Sequence, residues 1–139
     1  MAQSGKLLYT AKVHTTGGRE AGHAHSSDDR LDVRLSVPGA PGNGTNPEQL
    51  FAAGWSACFE GAMAFVARRM KVTLPPNYAI DAEVDLNAGD DGFFLRARLN
   101  ISLPGMEREL AERVVAEADK TCPYSKATRS NIEVAINLV

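Results

Sequence analysis

The chain has 139 residues, of which 44% are hydrophobic and 23% charged, enough to bury one core and so to form a single domain over residues 1–139. Its net charge of -2, with acids and bases interspersed, supplies neither a basic stripe for a phosphate backbone nor a polybasic patch for a lipid surface, which argues against nucleic-acid and membrane partners. The opening stretch MAQSGKLLYT carries no apolar export segment, so a cytoplasmic location is expected; there two cysteines are kept reduced unless a disulfide between them is transient and catalytic.

In chain order, alternating Leu7, Tyr9, Ala11 and Val13 predict a first strand, followed by a turn at Gly17 and Gly18 and a weaker strand over residues 19–26. Leu31, Val33, Leu35 and Val37 predict another strand, and the glycine- and proline-rich run PGAPGNGT then leads into a helix. Asn46 as N-cap, Pro47 at the first helical position and Gln49 in a capping box set its start, and it should run to about Met70. From Leu50 to Ala67 only Ser56 and Glu60 interrupt apolar and small residues, and Glu60 argues against a membrane span. A helix apolar all round is buried all round. Gly54, Ala57, Cys58 and Gly61 form a small-residue face on which a second copy of the helix can pack, so a homodimer centred on it is expected.

Two strands over 78–86 and 95–103 should form a hairpin closed at Asp90–Gly92. An amphipathic helix follows over about 106–120, with Met106, Leu110, Val114, Val115 and Ala118 on one stripe. A further step of four reaches Cys122, whose sulfur should face inward where Pro123 breaks the helix. A last strand spans 132–138. The pattern predicts an α+β fold, mainly antiparallel sheet with a long buried central helix and a second, amphipathic one.

A cysteine on an apolar helix is by default a small hydrophobe. Two inward-pointing thiols nevertheless allow a peroxidatic and resolving pair, because a sulfenic acid formed on one sulfur condenses with the other thiol. His14, His23 and His25 lack any Cys-x-x-Cys or His-Glu-x-x-His spacing, and solvated strand histidines account for them better than a metal site. No residue pair specifies a Cys–His hydrolase.

Three stretches, GGRE after the first strand, GTNPEQLFAAGWSACF opening the central helix and CPYSKATRSNIEV before the last strand, resemble the organic hydroperoxide resistance (Ohr) proteins of the Ohr/OsmC superfamily. The resemblance covers essentially the whole chain. It implies an OsmC-like fold in an intertwined homodimer and a thiol peroxidase that reduces organic hydroperoxides to alcohols. Cys58 then matches the peroxidatic cysteine and Cys122 the resolving one, joined as a disulfide during turnover, while Arg19 and Glu48 match the charged pair that activates the sulfur. Phe51, Trp55, Phe59, Met63, Phe93 and Phe94 are candidates to line an apolar approach to Cys58, and most of them are core residues by default. No haem, flavin or metal cofactor is implied, and a dithiol such as a lipoylated protein would be the reductant. Glu48 and Cys58 lie ten residues apart on one helix, so for both to serve one arginine a break near Gly54 is expected, with Ser56 bonding back to a freed carbonyl. The competing reading is a non-catalytic dimer that holds a small apolar ligand, with inert cysteines.

Overall fold

Alternating apolar residues build two separate three-stranded sheets in the computed structural model, which describes residues 3–139. Each sheet belongs to its own unit, one running to Pro47 and the other from Glu48 to Val139.

In the N-terminal unit, β1 (Val13–Thr16), β2 (His23–Ser26) and β3 (Asp32–Arg34) pair antiparallel in that order, with Thr16 opposite His23 and His25 opposite Asp32. Between the first two, Gly17 and Gly18 both take positive φ (77° and 70°), a conformation open to glycine at little strain, and the chain makes the single helical turn α1 (Gly18–Ala21). The strand expected over residues 19–26 is therefore split into a helical turn and a shorter strand. The strand expected from Leu7 is one only from Val13 onward; before it the ladder adds a single bond, Ser27 N–H to the Lys12 carbonyl, and Leu7, Leu8 and Tyr9 are exposed. Past β3, Leu35 continues as an isolated parallel bridge to Thr45.

Two of the three histidines of this unit, His23 and His25, face carboxylates. His23 bonds Asp32, and His25 Nε2 lies 2.6 Å from Asp29 Oδ1, with the two imidazoles stacked at 6.1 Å. The Asp32 carboxyl is held below its ordinary value chiefly by the bond from His23.

The second unit contains α2 (Pro47–Met70), which opens directly after Asn46, then β4 (Ala79–Gly89), β5 (Gly92–Ser102), α3 (Arg108–Thr121), α4 (Pro123–Thr128) and β6 (Glu133–Leu138). β4 and β5 form the expected hairpin, closed by Asp90 and Asp91 with Gly89 opposite Gly92. β6 pairs with β5 in parallel, from Arg96 opposite Glu133 to Ile101 opposite Leu138. A parallel neighbour requires a crossover, and α3 and α4 are that crossover. The core is built from Trp55, Phe59 and Met63 of α2, Ala97, Leu99 and Ile101 of β5, and Val114 and Ala118 of α3. On the outer face of the sheet Arg98 clamps Asp85 through both terminal nitrogens, at 2.8 and 2.7 Å, and reaches Glu83 with Nε at 2.8 Å. α3 starts two residues later than its apolar stripe suggests, because Glu107 caps it by accepting from the Leu110 N–H at 2.8 Å.

By length and composition α2 is apolar enough to cross a membrane, yet Trp55, Phe59, Met63 and Val66 along one side are shut inside protein. Burial on every side is not what a single chain achieves: Ala53, Ala57, Gly61 and Phe65, spaced by fours, are exposed, Phe65 at 47%.

Candidate active site

Cys58 stands in the middle of α2, while Cys122 ends α3, its N–H bonding the Ala118 carbonyl at 2.8 Å, and at the same time precedes α4. Pro123 forces this change, since proline cannot continue one helix but suits the first position of the next. The step of four that carries α3's apolar stripe does point Cys122 inward, where it has no exposed surface. Its sulfur lies 3.6 Å from that of Cys58, and both thiols are free. Cys58 is half-buried.

Four residues on one face of α2, Phe51, Gly54, Trp55 and Cys58, receive the start of α4. The Tyr124 ring packs at 6.2 Å from the Phe51 ring, and Phe51 at 5.5 Å from Trp55. A Cβ at position 54 would come within 2.9 Å of the Tyr124 hydroxyl oxygen, so glycine is what permits this approach. The Trp55 indole N–H donates to Ser125 Oγ at 3.2 Å, and the Tyr124 backbone N–H lies near enough to Cys58 to favour its thiolate.

Burial pushes the Cys58 thiol above its ordinary pKa, and the neighbouring Cys122 thiol pushes the same way; the Tyr124 N–H opposes them but does not prevail. The groups of this unit thus keep Cys58 protonated at neutral pH. A thiol so placed becomes a nucleophile when a positive charge favours its thiolate.

The other residues expected at the site are distributed as follows. Arg19 lies on α1, in the N-terminal unit, and Glu48 in the first turn of α2. The break expected near Gly54 is absent: α2 is one helix from Pro47 to Met70, although Ser56 Oγ does bond back to the Ala52 carbonyl at 2.7 Å. Ten residues of continuous helix place Glu48 about 15 Å from Cys58 along the axis. Gly54 serves close packing instead of bending. Of the apolar lining, Trp55, Phe59 and Met63 are core side chains with no exposed surface, because they occupy the side of α2 that faces the sheet and α3. Phe51 is half-buried beside Tyr124. Phe93 and Phe94 sit near the hairpin end of β5, 80% and 42% exposed, with the Arg96 guanidinium over the Phe94 ring. The packing of Tyr124 and Ser125 beside the thiols was not foreseen; the signal available was Pro123, which restarts a helix directly after Cys122.

Comparison with known proteins adds an independent line. The family model described as OsmC-like protein matches residues 39–137. An organic hydroperoxide resistance protein of Xanthomonas axonopodis pv. citri is 49% identical over 142 aligned residues, covering 99% of this chain and 99% of that protein. The organic hydroperoxide resistance protein OhrB of Bacillus subtilis is 43% identical over 136 residues, covering 94% of this chain and 98% of its own. The crystal structure of that OhrB superposes with a TM-score of 0.89 at 41% identity, over 96% of this chain and 100% of the other. The fold, the family model and full-length relatives of this identity agree, and the chain belongs to the OsmC-like family, among its organic hydroperoxide resistance proteins.

Proposed function

We propose that this protein is a cysteine-based peroxidase that reduces organic hydroperoxides to alcohols, in defence against organic peroxide stress. The observation that carries the reading is the pair of free thiols 3.6 Å apart, joined across 64 residues of sequence. The Cys58 thiolate attacks the outer oxygen of the peroxide; an S–O bond forms, the O–O bond breaks, and the alkoxide leaves and takes a proton to become the alcohol. Cys58 is now a sulfenic acid. The Cys122 sulfur attacks it, an S–S bond forms, the S–O bond breaks, and the hydroxyl leaves as water with the thiol's proton. A dithiol, such as a lipoylated protein, reduces the disulfide and is itself oxidised to one. Relatives of this identity that carry the name organic hydroperoxide resistance protein support the substrate class.

The raised pKa of Cys58 sets the remaining requirement, and Arg19 is assigned the cation that meets it, both by favouring the thiolate and by hydrogen-bonding the oxygen on which charge grows. Glu48 is assigned the carboxylate that would hold Arg19 in place. Of the small-residue face expected to meet a second copy, Gly54 and Cys58 are instead half-buried beside Tyr124 and Cys122, and Ala57 and Gly61, exposed together with Ala53, are the surface on which that copy packs to give an intertwined homodimer in a cytoplasmic setting.

The reading is tested by measuring peroxide consumption with a lipoyl dithiol as reductant. An alkyl hydroperoxide should be consumed faster than hydrogen peroxide, since each substrate methylene buried at the aromatic surface of Phe51 and Tyr124 contributes ~0.8 kcal/mol. If no peroxide is consumed and both thiols react sluggishly with a thiol reagent at neutral pH, the chain is a ligand-binding dimer instead.

Arg19→Ala should slow the attack by about tenfold for each unit by which the thiol pKa rises. The sign is fixed: a higher thiol pKa means less thiolate at a given pH, so the rate–pH profile moves toward alkaline pH and part of the loss is recovered on raising it. A profile left in place would take Arg19 out of thiolate activation.

A further inference from the structure

The contact between α2 and α4 has the form of two rungs. Trp55 stands three residues before Cys58, and Ser125 three residues after Cys122. One helical turn thus separates the hydrogen bond from the Trp55 indole N–H to Ser125 Oγ, at 3.2 Å, from the pair of sulfurs at 3.6 Å. Both ends of the hydrogen bond are inside protein, Trp55 wholly and Ser125 at 3% exposure.

Closing a disulfide brings the two sulfurs from 3.6 Å to about 2.05 Å. That movement is small, but it depends on register: a slip of one residue along a helix is ~1.5 Å of rise and about 100° of rotation, which turns a side chain away from its partner. α4 has six residues and begins with proline, far below the length at which a helix holds its own position. Its place against α2 is set by side chains. The Tyr124 ring is tilted by 40° to that of Phe51 and meets Gly54 through its hydroxyl end, packing contacts that carry little direction, whereas the Trp55–Ser125 bond is directional and fixes one register.

We propose that the Trp55–Ser125 hydrogen bond is a positioning contact for the resolving step, holding Cys122 where its thiol meets the Cys58 sulfenic acid before a second peroxide molecule does. The proposal rests on the reading of Cys58 as the peroxidatic cysteine. It makes Ser125 a determinant of how much peroxide the protein withstands, with no part in the first attack.

The test is Ser125→Ala. A cavity of about 200 Å³ bordered by Trp55, Ser125, Thr128 and Arg129 adjoins the bond and has room for water to meet the indole N–H left behind, so the variant should fold. Protein is given a pulse of alkyl hydroperoxide, and the products on Cys58 are counted by mass spectrometry as disulfide to Cys122 or as sulfinic and sulfonic acid. The ratio of over-oxidised Cys58 to disulfide should rise roughly fivefold, the factor that corresponds to one net hydrogen bond of about 1 kcal/mol. The rate at which the peroxide is first consumed should stay at the wild-type value. The double variant Trp55→Phe with Ser125→Ala, which removes donor and acceptor together and leaves no buried group unpaired, should give the same ratio as Ser125→Ala alone, since a shared contact is lost only once. With Trp55→Phe measured as the second single variant, a wild-type ratio in Ser125→Ala, or a double variant whose effect is the product of the two single ones, overturns the proposal. If wild-type Cys58 does not react with the hydroperoxide at all, the peroxidase reading itself fails, and this proposal with it.

Discussion

Replacing Cys58 by serine should abolish peroxide reduction, lowering the rate by at least about three orders of magnitude, because a hydroxyl cannot take up the peroxide oxygen and the remaining thiol, Cys122, has no exposed surface at which to meet the substrate. A hydroxyl at that place ionises far above neutral pH, and the surroundings that raise the thiol's pKa, chiefly burial, would raise it further. The fold should survive. Cys58 is half-buried in the middle of a long helix, and a serine hydroxyl there can bond the carbonyl four residues back, as Ser56 already does to Ala52 at 2.7 Å. The measurement is peroxide consumption beside a circular dichroism spectrum: an unchanged spectrum with no turnover is the expected result. Turnover at the wild-type rate would remove Cys58 from the chemistry altogether.

Cys122→Ser separates the two halves of the cycle. The first equivalent of hydroperoxide should be consumed at nearly the wild-type rate, since Cys122 takes no part in breaking the O–O bond. Turnover should then fall by about two orders of magnitude or more, because a thiol held in place attacks at an effective concentration far above that of any free dithiol. The stranded sulfenic acid is open to further oxidation, so mass spectrometry should find Cys58 as sulfinic and sulfonic acid where the wild type shows a disulfide within one chain. Serine is a favourable residue ahead of a helix, and α4 begins at Pro123 directly after this position, so loss of the thiol need not unseat α4. Wild-type protein that yields only disulfides between chains would show that Cys122 is not the resolving residue for its own Cys58.

The elements that could be read from sequence are those with one buried face. β4, β5 and β6 alternate because one side of each lies on the core, and their limits fall within a few residues of the apolar pattern. The stripe of α3, extended by one step, placed Cys122 inward, and Pro123 marked where the helix stops. The parallel pairing of β6 was not legible, since alternation is the same whichever way a neighbour runs. Nor was the covered side of α2: when nearly every residue is apolar or small, the pattern does not say which side meets the sheet, and it leaves Trp55, Phe59 and Met63 between pocket and core, of which the fold selects the core. Gly54 shows a further limit. Glycine permits both a bend and a close approach, and only its neighbour across space, Tyr124, decides between them. The bond from Trp55 to Ser125 spans 70 residues and leaves no local trace. Arg19 and Glu48 came from likeness to a family and not from any pattern in the chain.

The parallel strand β6 also fixes when the thiols can meet. It is made after every other element described, and the crossover that carries Cys122 over the sheet is anchored at its far end only when β6 docks beside β5. The contact between the two sulfurs joins positions far apart in sequence, so it comes late on the folding route, after the local β4–β5 hairpin and the helices. During synthesis Cys58 therefore emerges before Cys122, and until the fold forms the two thiols, 64 positions apart, meet only through the closure of a long loop. Until folding ends the two cysteines are not held together, and the 3.6 Å approach of their sulfurs belongs to the completed sheet.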